Sequence, residues 1–140
     1  MTKRLTVTPS RCIGCRTCEI ACAFSHPVSA AIGSPAPGAT RIRAFPIRPP
    51  ERGIPVVCLQ CDQPACVKVC PTQALQRDDR TGAVLVHDDR CVRCRACVWA
   101  CPWGNVGFDT VRTQVYKCDL CGGDPQCARY CPSRALEQLD

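Results

Sequence analysis

Sixteen cysteines in a chain of 140 residues fall into four groups of four, with none left over. Groups one (Cys12, Cys15, Cys18, Cys22) and three (Cys91, Cys94, Cys97, Cys101) are spaced C-x2-C-x2-C-x3-C. Groups two (Cys58, Cys61, Cys66, Cys70) and four (Cys118, Cys121, Cys127, Cys131) widen the middle gap to four and five residues. Cysteine at this density in a short chain restricts it to a disulfide scaffold, a zinc protein or an iron–sulfur protein. Phe24, Phe45, Phe108, Trp99, Trp103, Tyr116 and Tyr130 are the only aromatic residues. A core so poor in large side chains needs staples of some kind to stay folded.

The first twelve residues, MTKRLTVTPSRC, hold neither an apolar leader core nor an Arg-Arg pair, and no run in the chain is long enough to span a membrane. The expectation is a cytoplasmic chain with no signal peptide of its own, and such chains rarely hold structural disulfides. All-cysteine zinc sites are built from two separated pairs, which three closely spaced cysteines and a fourth match poorly. Iron matches well. Three thiols on one tight loop cover three corners of a cubane. In two-cluster ferredoxins the fourth cysteine ligates the other cluster and is commonly followed by proline. Cys70, Cys101 and Cys131 are each followed by Pro, and Cys22 by Ala23. The pattern predicts four [4Fe-4S] clusters.

The groups are also halves of an internal repeat. LTVTPSRCIGCRTCEIAC aligns without gaps on VLVHDDRCVRCRACVWAC, and CLQCDQPACVKVCPTQAL aligns on CDLCGGDPQCARYCPSRAL with one inserted residue. Between groups two and three, CPTQAL reads as the opening of a short helix with Pro71 at its start, DDRTG as a turn and AVLVH as a short strand. Groups four and one, joined tail to head, rebuild the same unit. The expected fold class is α+β: two bacterial-ferredoxin-like lobes, short β-hairpins and short helices around clusters, related by a pseudo-two-fold repeat. The domain reading is a single polyferredoxin unit over 1–140, with an inner lobe of about 54–111, an outer lobe of about 1–25 plus 112–140, and a Pro/Gly-rich insert over 26–53. Only the two-to-three and four-to-one joins share the linker, so those groups pair. The inner lobe should then hold one cluster on Cys58, Cys61, Cys66 and Cys101 and another on Cys91, Cys94, Cys97 and Cys70. The outer lobe should hold one on Cys12, Cys15, Cys18 and Cys131 and another on Cys118, Cys121, Cys127 and Cys22.

The formal charge of +6 includes 18 Lys and Arg, but the arginines are scattered and many stand beside cysteines. A cluster with its four thiolates carries about −2, so the basic excess reads as compensation for clusters, not as a nucleic-acid surface. Residues 23–57 read as a surface cover with a hairpin: ATRIRAFPI as one strand, ERG as the turn and IPVV as the second. His26 and His87 read as surface or loop residues, since every ligand set is already complete. Trp99 and Trp103 flank Cys101 and read as packing that shields a cluster from water. GNVG at 104–107 is too short to mark a nucleotide site, and no flavin or nicotinamide signature is present. There is no signature of a substrate pocket, a general base or an open metal position, so the chain reads as a carrier of electrons and not as a catalyst.

The motifs CIGCRTCEIAC, CLQCDQPACVKVCPTQAL, CVRCRACVWACPWGNVGFD and YKCDLC…CARYCPSRAL resemble the four-cluster ferredoxin-type electron-transfer subunits of molybdenum and tungsten oxidoreductases. That family includes the iron–sulfur subunits of dimethyl sulfoxide reductase and formate dehydrogenase. The resemblance covers essentially the whole chain and is greatest to the small subunit of tungsten-containing aldehyde oxidoreductases. It implies two crossed [4Fe-4S] clusters per lobe and a large catalytic partner, with a flavin subunit as a further partner. The chain stops nine residues after Cys131, which argues against the membrane-anchor contact of larger relatives. The near two-fold repeat adds a hypothesis: the two ends look alike, so copies could stack end to end as an extended wire. Other readings are a carrier for a hydrogenase, formate dehydrogenase or carbon monoxide dehydrogenase, a ferredoxin-like assembly factor, and a structural zinc module.

Overall fold

Short apolar runs broken by Gly, Pro and Asp give hairpins, not an extended sheet. The computed structural model describes residues 3–27, 39–48 and 52–139. In chain order its elements are β1 (Arg4–Val7), α1 (Thr17–Ser25), β2 (Arg43–Arg48), β3 (Arg52–Val56), α2 (Ala65–Lys68), β4 (Leu75–Arg77), β5 (Val84–Val86), α3 (Ala96–Ala100), β6 (Val106–Asp109), β7 (Gln114–Lys117), α4 (Gln126–Arg129) and β8 (Leu136–Leu139). Single 3-10 turns at Pro9–Arg11 and Leu120–Gly123 lie beside groups one and four. Among the described residues the strands form four two-stranded antiparallel sheets.

Two of these sheets share one register. β4 and β5 pair Leu75 with Val86 and Gln76 with Leu85. β8 and β1, at opposite ends of the chain, pair Leu136 with Val7 and Glu137 with Thr6. Each sheet is extended by the same backbone bond, His87 N to Ala74 O at 2.7 Å and Thr8 N to Ala135 O at 2.8 Å. The turn before β5 forms as DDRTG predicts, with Gly82 N donating to Asp78 O at 2.7 Å. The helix predicted to open at Pro71 does not form. Residues 71–74 are turn, Gln73 takes a positive φ of 54°, and the Ala74 N–H folds back onto the Cys70 sulfur at 3.2 Å. A thiol that captures the N–H four residues on leaves no donor for a helix. The short helix lies one step earlier, in α2.

The other two sheets, β2–β3 and β6–β7, stand directly before groups two and four. The first is a hairpin where the sequence predicts one, with Phe45 opposite Ile54, but β2 begins at Arg43, not Ala39, and Arg52 and Gly53 of the predicted turn belong to β3; Glu51 and residues 28–38 lie outside the described residues. β3 is held against the group-one loop at a close approach that only glycine allows. Gly53 N donates to Cys12 O at 3.4 Å, and a Cβ on Gly53 would stand 3.0 Å from Gly14 Cα and 3.3 Å from Cys12 Sγ. Backbone atoms cannot rotate aside as a side chain can. Gly53→Val is therefore expected to cost about 1–3 kcal/mol through overpacking, read as a lowered Tm in an anaerobic melt of the iron-loaded protein. An unchanged Tm would mean that the hairpin does not rest on this loop.

The helices pair across the chain, α1 against α4 and α2 against α3. Two apolar cores result, and cysteines belong to both. One joins Leu5, Ile42, Leu120 and Leu136 to Cys18, Cys22, Cys118 and Cys127. The other joins Leu75, Val84, Val106 and Val115 to Cys66 and Cys97.

Candidate metal centres

Each cysteine loop is shaped by residues at positive φ, and these recur at matching places in the repeat. Gly14 (71°) matches Arg93 (61°), Arg16 (61°) matches Arg95 (62°), Gln60 (49°) matches Leu120 (56°), and Gln73 (54°) matches Arg134 (50°). Alternation of left- and right-handed residues turns successive N–H groups toward one concave side, a geometry that binds anions and iron–sulfur groups. Non-glycine residues pay about 1–3 kcal/mol each for such a conformation and hold it only where the surroundings over-determine it. Seven of these eight are not glycine, so the loop shape is imposed by what the loops enclose.

All sixteen cysteines are thiols outside any disulfide. Cys58, Cys61, Cys66 and Cys101 line one hollow, together with Val84, Trp103, Val106 and Lys117. Burial pushes the Cys66 thiol up, and the nearness of Cys58 and Cys101 adds to it. Burial likewise raises the Cys127 thiol, with Cys118, Cys22 and Cys121 adding to the rise. The Cys18 thiol is pushed up to about 11 by burial, with Cys15 and Cys12 contributing. Cys97 also reaches about 11, by burial and then by Cys91 and Cys66. Cys118 reaches about 12, with burial dominant and Cys58 contributing. Cys70 and Cys91 pack on the same core as Cys97, and Cys131 on the same core as Cys18. Sets of half-buried thiols that would repel one another as thiolates match a site whose charge is taken up by metal.

The last cysteine of each group has a different surrounding: its sulfur meets backbone N–H groups. Asn105 N stands 3.4 Å from Cys101 Sγ, Ala74 N 3.2 Å from Cys70 Sγ and Arg41 N 3.2 Å from Cys22 Sγ. Burial would raise the Cys70 and Cys131 thiols, but hydrogen bonds from Thr72, Ala74 and Leu75, and from Leu136, Ser133 and Ala135, more than offset it and hold both below their ordinary value. Cys22 lies below its ordinary value by the same balance, with His26 the main partner against burial.

Cys22 explains its missing proline. No Pro follows it, so α1 runs on to Ser25 and the chain cannot turn back over the sulfur. The N–H comes instead from Arg41, nineteen residues later, and His26 closes the helix end. Its Nδ1 lies 2.8 Å from Cys22 O and 3.8 Å from Cys22 Sγ. Its Nε2 meets Asp119 Oδ1 at 3.0 Å, and Arg41 Nη1 meets Asp119 Oδ2 at 2.9 Å. The bond to Asp119 lifts the His26 ring to about 9, and the pair with His26 and Arg41 outweighs burial to hold Asp119 well below the usual carboxylate range. His26 is thus a partly buried tie between groups one and four, not a surface histidine. Nothing in its own neighbourhood signals this, apart from the absent proline.

The shielding expected of the two tryptophans is not met by Trp99, whereas Trp103, though partly exposed, lines the hollow of Cys58, Cys61, Cys66 and Cys101. Trp99 is 85% exposed and Trp103 58% exposed. α3 turns Cys97 inward, and at about 100° per residue Trp99 lands on the opposite face. Cys15 and Cys94, the second cysteines of groups one and three, are the exposed ones among the sixteen. In the aligned repeat Ile13, Ile20 and Phe24, near Cys15 in sequence, match Val92, Trp99 and Trp103, near Cys94 in sequence, and all six are exposed. Among the described residues no helix is long and apolar enough to cross a membrane.

Comparison with known proteins agrees with this chemistry. The model of a 4Fe-4S dicluster domain matches residues 52–140, and that of a 4Fe-4S binding domain matches residues 9–25. The polyferredoxin-like subunit of aliphatic sulfonate oxidoreductase from Pyrococcus furiosus is 42% identical, over 96% of this chain and 75% of that protein. Two Escherichia coli proteins match along the full chain: the putative electron transport protein YsaA, 37% identical over 91% of its length, and the electron transport protein HydN, 35% identical over 89%.

Proposed function

This chain belongs to the 4Fe-4S dicluster family and carries several [4Fe-4S] clusters, and we propose that four of them form an electron path to or from a catalytic oxidoreductase subunit. When bound, the clusters supply one-electron oxidation and reduction. The residues supply the rest. Cys58, Cys61, Cys66 and Cys101 hold one centre and Cys91, Cys94, Cys97 and Cys70 its neighbour. Cys118, Cys121, Cys127 and Cys22 hold a third, and Cys12, Cys15, Cys18 and Cys131 the fourth. The observation that carries this reading is the hollow in which Cys101, the last cysteine of group three, joins three thiols of group two. The shared register of β4–β5 and β8–β1 supports two ferredoxin-like lobes, the outer one closed by the chain's two ends.

The packing of Cys58 and Cys118 on one core supports reading their centres as the middle pair. The centres at Cys15 and Cys94 would then be the ends, each opening to the surface in a stretch of sequence that carries exposed apolar side chains suited to docking. We read the partner at one end as a tungsten or molybdenum pterin enzyme such as an aldehyde oxidoreductase, in the cytoplasm, with a flavin subunit as a further partner. The likeness of the two ends allows copies to stack end to end. The electron transport proteins among the relatives favour a second reading, a free carrier without a fixed partner.

The test is anaerobic purification from the native cell with metal analysis and native mass measurement. A brown complex holding a tungsten- or molybdenum-containing subunit, with more than one copy of this chain, is expected. A chain recovered alone would favour the free carrier. Strictly one copy per catalytic subunit would remove the stacking, and a colourless zinc protein would remove the reading as a whole.

A further inference from the structure

Lys3, Lys68 and Lys117 are the chain's only lysines, and Lys117 is buried, with 4% of its surface exposed. It ends β7, one residue before Cys118. Its Nζ has three acceptors: Val84 O at 2.9 Å, Cys118 O at 3.1 Å and Gln60 Oε1 at 3.3 Å. Three donors are what an ammonium offers, and a neutral amine offers fewer. Gln60 is fixed in turn. It is buried, its Oε1 also accepts Val84 N at 3.0 Å, and its Nε2 donates to Cys118 O at 2.9 Å.

All three acceptors are neutral. Among the described residues no carboxylate forms an ion pair with Lys117. A buried cation with no anion is costly, so the anion must be sought elsewhere, and the thiols are at hand. Lys117 lines the hollow of Cys58, Cys61, Cys66 and Cys101. Its Nζ also bonds the backbone of Cys118, so it touches groups two and four at once. The matching position before group two is Val57, so the cation stands on one side of the repeat only.

We infer that Lys117 is the shared counter-cation of the two middle iron–sulfur centres and raises the reduction potential of both. The inference rests on the ligand sets proposed above. Cation and centres depend on each other: the ammonium is tolerated in the interior because two thiolate-ligated centres flank it. Loss of its charge makes both middle centres harder to reduce and leaves the two end centres as they were.

Lys117→Met in the full iron-loaded chain tests this by redox titration followed by EPR. Expected are wild-type iron content and, for two of the four centres, at least a tenfold lower reduced-to-oxidised ratio at fixed potential, about 59 mV for a one-electron couple. Lys117→Arg should restore wild-type behaviour. Unchanged potentials at full iron overturn the inference. A shift confined to the centre lost in Cys91→Ala overturns the ligand sets instead. Met removes one donor from each of three buried acceptors, so Lys117→Gln, neutral with two N–H donors, is the second variant. Wild-type potentials in whichever neutral variant keeps its iron overturn the inference. Iron loss in both neutral variants with retention in Lys117→Arg supports it, and iron loss in all three points to a purely structural lysine and overturns it.

Discussion

Replacing Cys101 with alanine should abolish the EPR signal that is also lost when Cys58 is replaced, and should leave in place the signal that depends on Cys91. In sequence Cys101 is four residues from Cys97 and far from Cys58, so nearness along the chain predicts the opposite result. The fold reverses that. α3 carries the chain off the Cys91–Cys97 loop, Cys101 follows it with extended backbone (φ −72°, ψ 113°), and the Asn105 N–H closes over its sulfur at 3.4 Å. The side chain then faces Cys58, Cys61 and Cys66 across one hollow. Iron should fall by between about one and about four atoms per chain, depending on whether the three remaining thiols keep an incomplete cluster. A Cys101→Ala spectrum that matches Cys91→Ala instead would show uncrossed ligation, and the division of all four groups would need redrawing.

The crossing proposed above is argued from spacing: a fourth thiol set apart by three residues and a proline cannot easily close its own loop. The turn before β5 and β5 itself are legible for a similar reason, since DDRTG and AVLVH are local signals, whereas β4 begins at Leu75, inside the CPTQAL stretch read as a helix. What the sequence does not show depends on residues distant along the chain. Arg41 gives its N–H to Cys22 and its guanidinium to Asp119, yet no motif surrounds it. The β6–β7 hairpin falls across the boundary read at 111, because its turn, residues 110–113 (TVRT), holds neither Pro nor Gly to mark it. Trp99 misleads for a physical reason: close to a cysteine in sequence, an aromatic reads as shielding, but in a helix residues two apart, such as Cys97 and Trp99, face nearly opposite ways. Pro71 misleads because helix-start statistics do not include a sulfur competing for the N–H groups that follow it.

Chelating the iron anaerobically, with reductant present to keep the thiols from pairing, should unfold every described element at once. No element can persist alone. The helices run from four to nine residues, well short of the roughly 12–15 at which an isolated helix becomes marginal in water. Every sheet among the described residues has two strands, and a lone two-stranded hairpin is at best marginally stable. The largest fully buried apolar side chains are Ile42, Leu75, Leu120, Leu136 and Val84, too few to hold a chain of this length without staples. The helix pairs α1–α4 and α2–α3 meet across the buried thiols Cys18, Cys22 and Cys127, and Cys66 and Cys97. Without metal those thiols enclose hollows and the positive-φ loops lose what over-determines them, so the binding free energy of the clusters is folding free energy. Collapse of the far-UV circular dichroism should coincide with loss of amide protection in β1–β8 and β4–β5 together. Protection surviving in β4–β5 after complete iron removal would show that the hairpins form a scaffold of their own. If they do not, the groups that carry the electron are also the core, and a centre cannot be lost without loosening the geometry that keeps its neighbours within transfer distance.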